Sequence, residues 1–353
     1  MDKNALNFFR ELIESHSPSG YEHEAASLWK KRVGSFADNV KVDVHGNVTG
    51  VLNAKGSPKV MLAGHIDEIG YMVKYIDDNG YIYFSAIGGV DLHLLPGQRV
   101  WIKGKKGNVL GIIGRNPIHL QDEEERKRVS KIENLWIDIG MKTKKDAEKL
   151  VSVGDPAVTA VGFENLNDSC VIGRGFDDRA GAFVVSETLK SLAGKKMNAG
   201  VYGVATVQEE LGIRGARTSA YGIAPDIGIA IDVTFATDVP GANKKKNGDI
   251  TIGGGPVIAR GPNINHKIFE RLVKTAEKEK IPYQVEGISR ATGTDANIIQ
   301  LTKSGVATGL ISIPNRYMHT PVELINLSDI ENIIKLLSAF IAGLDSRTSF
   351  IPY

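Results

Sequence analysis

Apolar residues at helical spacing mark the first 35 residues of the chain. Leu6, Phe9 and Leu12 recur on one face of a predicted amphipathic helix. Ser, Pro, Ser and Gly at positions 17–20 end that helix, and a second helix is predicted from Glu22 to Val33. Further along, short runs predict strands over residues 40–44, 50–52 and 59–63, the last with the continuous apolar pattern of a fully buried strand.

Between about residue 70 and residue 162 the pattern changes to short β-type runs separated by Gly-rich turns. The strands predicted in this segment cover residues 71–76, 81–84, 98–102, 109–113 and 135–139. We expect only one helix here, over residues 144–150. Short strands with frequent turns are typical of barrels and sandwiches, so the segment is predicted to be a small β domain.

After residue 173, strands and helices alternate again. Helices are predicted over residues 178–192, 215–219, 268–280 and 327–344, and strands over residues 199–207, 226–231 and 306–312. Two α/β segments therefore flank a β-rich insert. We expect one catalytic α/β domain made of residues 1–69 and 163–353, interrupted by a β domain of residues 70–162.

Composition narrows the range of functions. The 353 residues include 43 Lys and Arg against 41 Asp and Glu, and the net charge of +2 gives no electrostatic reason to expect a nucleic-acid or membrane partner. The single cysteine, Cys170, excludes an internal disulfide and a Cys-rich zinc module. The sequence also has no apolar signal-peptide core and no apolar run of membrane-spanning length. We expect a cytoplasmic protein.

Five clusters of polar residues directly follow predicted strands, where α/β sheets form their ligand sites. In chain order they are His65-Ile66-Asp67, Asp177-Asp178, Glu209-Glu210, Asp232 and the segment Arg316-Tyr317-Met318-His319. Each cluster alone also has a structural interpretation, since an Asp can cap a helix and a single His is commonly structural. Packing gives the poorest explanation for the Glu209-Glu210 pair, because adjacent carboxylates repel unless a cation offsets them.

The clusters together supply enough ligands for two divalent metal ions. An assignment that meets the required number of ligands puts His65 and Asp232 on one ion, Glu210 and His319 on the other, and Asp177 as a bridge between both. Glu209 is then free to accept a proton from water, and Asp67 can orient a neighbouring ligand. Nitrogen and oxygen ligands without a thiolate suit zinc, cobalt or manganese, of which we expect zinc or cobalt.

Five motifs of the chain resemble those of the tetrahedral (TET) aminopeptidases, the family of glutamyl and deblocking aminopeptidases. They are Gly64-His65-Ile66-Asp67-Glu68-Ile69-Gly70, Phe176-Asp177-Asp178-Arg179, Val207-Gln208-Glu209-Glu210-Leu211-Gly212-Ile213-Arg214-Gly215-Ala216, Gly293-Thr294-Asp295-Ala296 and Arg316-Tyr317-Met318-His319. Some members of this family were once labelled endoglucanases. The resemblance covers nearly the whole chain, with the motifs in the family's order and spacing.

The resemblance implies an α/β, zinc-peptidase-like fold, in which a mixed sheet is flanked by helices and interrupted by a small β-barrel-like insert domain. It implies that the insert is a dimerisation domain and that dimers form a hollow tetrahedral dodecamer with inward-facing active sites. The metal ligands that it implies are His65, Asp177, Glu210, Asp232 and His319. It also implies that Glu209 is the catalytic base and that Asp67 is the acid beside the histidine ligand.

The leading hypothesis is therefore a dinuclear metal-dependent aminopeptidase that removes N-terminal residues from short peptides. A water that bridges the metals attacks the scissile carbonyl, with Glu209 as the general base. An aminoacylase or carboxypeptidase-type hydrolase with two metals would share these ligands. A glycoside hydrolase would pair Glu209 or Glu210 with Asp177 but leaves both histidines unexplained. A binding protein whose carboxylates cap helices predicts no bound metal.

A few residues near the motifs bear on substrate preference. Thr294 and Asp295, with Asn297 nearby, are expected to shape the pocket for the first side chain of the substrate. Phe235 could narrow that pocket and favours small or neutral side chains, whereas an inward-pointing Arg290 would favour acidic ones.

Overall fold

The computed structural model of the chain describes residues 1–345 and 347–353, apart from the side chain of Glu125. Its strands are β1 (Asn39–Val42), β2 (Val48–Leu52), β3 (Lys59–His65), β4 (Gly70–Ile76), β5 (Ile82–Ile87), β6 (Arg99–Gly104), β7 (Gly107–Gly114), β8 (Trp136–Asp138), β9 (Pro156–Thr159), β10 (Glu164–Asn165), β11 (Cys170–Gly173), β12 (Gly200–Thr206), β13 (Ile227–Phe235), β14 (Val257–Arg260), β15 (Gln284–Gly287), β16 (Ala307–Asn315) and β17 (Glu323–Asn326). Its α-helices are α1 (Lys3–Glu14), α2 (His23–Val33), α3 (Glu123–Arg126), α4 (Lys144–Ala147), α5 (Phe176–Leu192), α6 (Arg214–Ile223), α7 (Lys244–Asn247), α8 (His266–Lys278), α9 (Asp295–Ile299) and α10 (Leu327–Ala342).

Eight strands form a mixed sheet in the order β1-β2-β12-β3-β13-β16-β14-β15. Its four central strands, from β12 to β16, run parallel, and antiparallel β2 and β14 flank them. β3 and β13 are buried over nearly their whole length, which is why their sequences are continuous apolar runs rather than alternating ones. Because the central strands are parallel, their carboxyl ends meet at one edge of the sheet.

Helices cover both faces of this sheet. Alternate residues of β3 point to opposite faces, so Leu62 packs in the core beneath α5 while Met61 packs towards α6 and α9. Gly64 lets α5 lie close to the end of β3, because a Cβ atom there would come within 2.5 Å of the main-chain carbon of Gly181. This close approach brings the start of α5 next to His65.

The insert is a closed barrel of six strands in the order β4-β5-β8-β7-β6-β9. Neighbouring strands are antiparallel, and the interior is filled by apolar side chains such as Val73, Ile102 and Ile137. Closure leaves no unpaired strand edge in this unit. The α/β fold with a mixed sheet, flanking helices and a barrel-like insert that the sequence predicts is therefore confirmed.

Several short elements differ from the sequence-based expectation. The segment expected to hold one helix has two short α-helices, α3 and α4, besides three single turns of 3-10 helix. α4 ends three residues before the predicted Leu150. Six short strands were not predicted: β9, β10, β11, β14, β15 and β17. Each has only two to four residues and shows too little periodicity to stand out from a loop. Within the described residues, every helix is too short or too polar to cross a membrane.

Candidate functional site

The predicted site residues gather at the carboxyl edge of the central parallel strands. His65 is the last residue of β3, and Glu209 and Glu210 follow β12. Asp232 lies inside β13, three residues before its end, and His319 follows β16. Asp177 lies at the start of α5, where the main chain of Asp177 and Asp178 departs from helical geometry and the peptide bond between them is cis.

The Asp177 carboxylate lies between the two histidines. Its Oδ1 is 3.1 Å from Nε2 of His65, and its Oδ2 is 3.1 Å from Nε2 of His319. Burial opposes ionisation, but the hydrogen bonds to His319 and His65 outweigh it and hold the pKa of Asp177 well below its usual value. One carboxylate therefore presents a different oxygen to each imidazole, as a ligand shared by two ions does.

Asp67 links His65 to the Glu209-Glu210 pair. Nδ1 of His65 lies 3.2 Å from the main-chain oxygen of Asp67 and 3.5 Å from its Oδ1. The two carboxylate oxygens of Asp67 also accept hydrogen bonds from the main-chain N–H groups of Glu209 and Glu210, both at 3.1 Å. If Nε2 loses its proton while Nδ1 donates towards Asp67, the lone pair of Nε2 faces the carboxylate cluster, where a bound metal would take the place of the proton.

Glu209 and Glu210 have different environments. Oε2 of Glu209 is 3.9 Å from Nε2 of His65. Burial raises the pKa of Glu209 to about 10; the positive charge of His65 lowers this pKa, and the negative charges of Asp232 and Asp295 raise it further. Oε1 of Glu210 is 3.5 Å from Nε2 of His319. Burial and the charge of Asp177 raise the pKa of Glu210 to about 7.

Two sets of donor atoms in this cluster lie close enough together to hold a metal ion. The atoms of His65, Asp177 and Glu210 lie within 4.8 Å of one another, and so do those of His65, Asp178 and Asp232. Burial raises the pKa of Asp178 and Asp232 well above the usual value, because carboxylates crowd together here without enough positive charge. Bound divalent cations would supply that charge, so the residues present fit a metal centre.

Asp178 belongs to this centre by position, although the sequence analysis assigned it no role. Its Oδ2 accepts a hydrogen bond from the main-chain N–H of His65, and its Oδ1 accepts one from Gly181, both at 3.0 Å. Asp178 therefore ties the end of β3 to the first turn of α5. The adjacent pair in the sequence thus serves two purposes, since Asp177 faces the histidines and Asp178 binds main chain.

A buried arginine fixes the segment that follows His65. The Arg179 side chain is fully buried, donates hydrogen bonds to the main-chain oxygens of Ile66, Ser15 and Ser17, and pairs with Glu68 at 2.8 Å. These contacts join the loop after β3 to the loop after α1. They give Glu68 and Arg179, which stand inside two of the motifs, a role in fixing the main chain.

Sequence reasoning missed Glu323. This residue begins β17 and is buried, and its two oxygens accept hydrogen bonds from the main-chain N–H groups of Asp177 and His319, both at 3.1 Å. Burial and the charge of Asp177 raise the pKa of Glu323 to about 8, while the two N–H donors lower it. The only signal in the sequence is a carboxylate at the start of a short apolar run, four residues after a candidate ligand.

Of the residues expected to shape the substrate pocket, Asp295 lies close enough to the histidine–carboxylate cluster for its charge to act on Glu209. Asp295 is buried and accepts a hydrogen bond from the Thr206 hydroxyl at 2.6 Å, next to the end of β12. The Thr294 hydroxyl donates to that of Thr292 at 3.0 Å. Phe235 ends β13 with 64% of its surface exposed.

Comparison with known proteins identifies the family. The family model for M42 glutamyl aminopeptidases matches residues 46–336. The chain belongs to this family. It is 40% identical over 340 residues to the lysyl aminopeptidase of Pyrococcus furiosus, an alignment that covers 95% of this chain and 96% of the relative.

Solved structures support the same assignment. The TET aminopeptidase of a marine-sediment Thaumarchaeota archaeon superposes with a TM-score of 0.93 at 36% identity, covering 97% of both chains. A TET peptidase of Pyrococcus horikoshii gives a TM-score of 0.87 at 32% identity, covering 96% of this chain and 100% of the other. The resemblance to TET aminopeptidases is therefore confirmed, and the chain is an aminopeptidase, a peptide hydrolase.

Proposed function

We propose that this aminopeptidase is dinuclear and that its metal ligands are His65, Asp177, Glu210, Asp232 and His319. The observation that carries the proposal is the position of Asp177, whose two oxygens each lie 3.1 Å from a different histidine. Two sets of closely spaced donor atoms, which share His65 and between them include Asp177, Glu210 and Asp232, support it. The donors are nitrogen and oxygen atoms only, which suits zinc or cobalt.

Two divalent ions held by these ligands would polarise the scissile carbonyl and favour deprotonation of the attacking water. Glu209 accepts that proton at its carboxylate and passes it to the leaving amine. Asp67 contacts the main chain of Glu209 and Glu210 and the ring of His65. It therefore fixes the position of the proposed base relative to the proposed ligands. The negative charge of the carboxylate cluster attracts the free α-ammonium group of a peptide, and this explains cleavage from the N terminus.

We also propose an assembly. Residues 70–162 serve as the dimerisation domain and residues 1–69 with 163–353 as the catalytic domain, with dimers forming a tetrahedral dodecamer in the cytoplasm. Exposed apolar side chains on the barrel unit, including Ile112 and Leu120 at 53% and 73% exposure, support a contact surface there. The TET peptidase of Pyrococcus horikoshii can assemble into a tetrahedron or a large octahedral shell.

The activity test is hydrolysis of free aminoacyl p-nitroanilides and short peptides, with added zinc or cobalt and after treatment with EDTA. We expect release of one N-terminal residue at a time, lost on chelation and restored by metal. The same peptides with acylated N termini are the control, and they should be resistant. Metal-loaded protein that cleaves acylated peptides equally well, or activity that survives removal of all metal, would contradict the proposal.

A further inference from the structure

The loop that carries His319 has an unusual main-chain conformation. Tyr317 and His319 adopt φ values of 65° and 60°, in the left-handed region that residues other than glycine rarely occupy. Such residues persist only where the surrounding structure holds them, and they concentrate at functional sites. The chain returns on itself here, since Arg316 and Leu324 form a β-bridge around the loop.

Glu323 is the side chain that holds this loop from inside the protein. One carboxylate oxygen accepts the N–H of His319, and the other accepts the N–H of Asp177. Asp177 and His319 are far apart in sequence, but their side chains are also in contact, with Oδ2 of Asp177 3.1 Å from Nε2 of His319. Glu323 is 2% exposed, so water cannot readily replace it as the acceptor for these two N–H groups.

The strands on either side explain how Glu323 reaches both partners. It begins β17, which pairs with β11 so that Glu323 lies opposite Gly173. β11 leads directly into the segment of Asp177, and the loop of His319 leads directly into β17. One carboxylate therefore lies where the two ligand-bearing segments converge.

We propose that Glu323 is a positioning residue that holds Asp177 and His319 at the separation two metal ions require. The inference rests on the proposed dinuclear site. Side chains that orient metal ligands affect metal affinity about 10- to 100-fold when they are replaced. Glu323→Gln should have such an effect, because an amide has one acceptor oxygen and leaves one of the two N–H groups facing an NH₂ group.

Asp329 provides a matched control. It too is buried, and its carboxylate accepts hydrogen bonds from the main-chain N–H groups of Gly253 and Gly255, at 2.7 and 2.8 Å. Asp329→Asn therefore makes the same chemical change to the same kind of anchor. Its partners lie in a segment that carries none of the proposed ligands.

The experiment is titration of the metal-free proteins with Co²⁺, followed by calorimetry and visible absorbance. We expect Asp329→Asn to bind two ions with the same affinities as wild type. Glu323→Gln should bind one of the two ions about 10- to 100-fold more weakly than wild type does. Excess Co²⁺ should restore the second absorbance step. Unchanged affinities in Glu323→Gln, or an equal loss in both variants, would overturn the inference. A wild-type protein that binds fewer than two ions would instead refute the dinuclear proposal, and the role of Glu323 with it.

Two further measurements apply if Glu323→Gln does not fold. Glu323→Asp keeps both acceptor oxygens on a shorter side chain, and a smaller loss of Co²⁺ affinity is expected from it. Amide hydrogen exchange can be followed in the metal-free wild type, where the N–H groups of Asp177 and His319 should be protected. Exchange of these two amides as fast as that of exposed loop amides would show that Glu323 does not hold them.

Discussion

Replacing Glu209 by Gln separates the proposed base from the proposed ligands. Glu209 lies 3.9 Å from Nε2 of His65, farther than Asp177 at 3.1 Å. Burial raises the pKa of Glu209 to about 10, so without metal its side chain is already protonated and neutral at pH 7. Gln has nearly the same shape and is neutral as well. We therefore expect the metal-free variant to unfold at the same temperature as metal-free wild type.

The loss should fall on the chemical step. A positioned general base contributes roughly 10²- to 10⁴-fold to a rate, which at 1.36 kcal/mol per factor of ten is about 3–5 kcal/mol of barrier height. We expect kcat of Glu209→Gln to fall by that factor, with KM changed much less. The assay is steady-state hydrolysis of the preferred aminoacyl p-nitroanilide, with metal content measured on the same sample by mass spectrometry.

Glu210→Gln is the matched neighbour, because it removes a proposed ligand with the same chemical change. It should lose bound metal, whereas Glu209→Gln should keep it. The reasoning would be refuted if Glu209→Gln retained more than about a tenth of wild-type kcat, since a general base contributes far more than that. Loss of metal from Glu209→Gln to the same extent as from Glu210→Gln would equally refute it.

Three more predictions follow from the site and the sheet. Removing metal with EDTA should lower the unfolding temperature, because an ion present at 100 times its dissociation constant stabilises the fold by about 2.7 kcal/mol per site. Equal unfolding temperatures for the metal-loaded and the metal-free protein would contradict the proposed metal centre. Metal affinity should rise between about pH 6 and pH 9, because bound ions must displace protons from Glu210 and His319. Burial raises the pKa of Glu210 to about 7, and the hydrogen bond to Asp177 raises the pKa of His319 to about 9. Calorimetry in several buffers should detect the released protons, and a metal affinity independent of pH would contradict the prediction. Gly64→Ala should destabilise the fold by about 1–3 kcal/mol in urea unfolding, because its Cβ would lie 2.5 Å from the main chain of α5. Gly222→Ala, at a helical position with open space around it, should be neutral or stabilising, and similar losses in both glycine variants would disprove the packing argument.

The positions of most candidate site residues could be predicted from the sequence, because these residues follow strands with a strong apolar pattern. β3 and the first part of β13 are apolar runs, so His65 and Asp232 could be placed at one edge of a parallel sheet from sequence alone. Glu323 could not be found in this way. Its partners are main-chain N–H groups, one of them 146 residues away, and main-chain donors leave no mark in a sequence.

The short elements were missed for a related reason. β9 closes the barrel and β17 carries Glu323, but each has only four residues and depends on pairing with distant strands. The left-handed conformation of His319 likewise has no signal in the sequence. Its N–H donates to the buried Glu323, and its ring contacts the main-chain oxygen of Gly89, far away along the chain.

The contact between the ring of His319 and the main-chain oxygen of Gly89 places the barrel unit beside the candidate site. Gly89 belongs to the loop that follows β5, and its oxygen lies 2.9 Å from Nδ1 of His319. A Cβ atom at Gly88 would stand 3.1 Å from Oε2 of Glu210, and one at Gly89 would stand 3.0 Å from Nδ1 of His319. The insert is therefore not a detachable module. A chain with the barrel excised would lack the carbonyl that faces Nδ1 of His319, so the barrel unit contributes to orienting a residue of the candidate site.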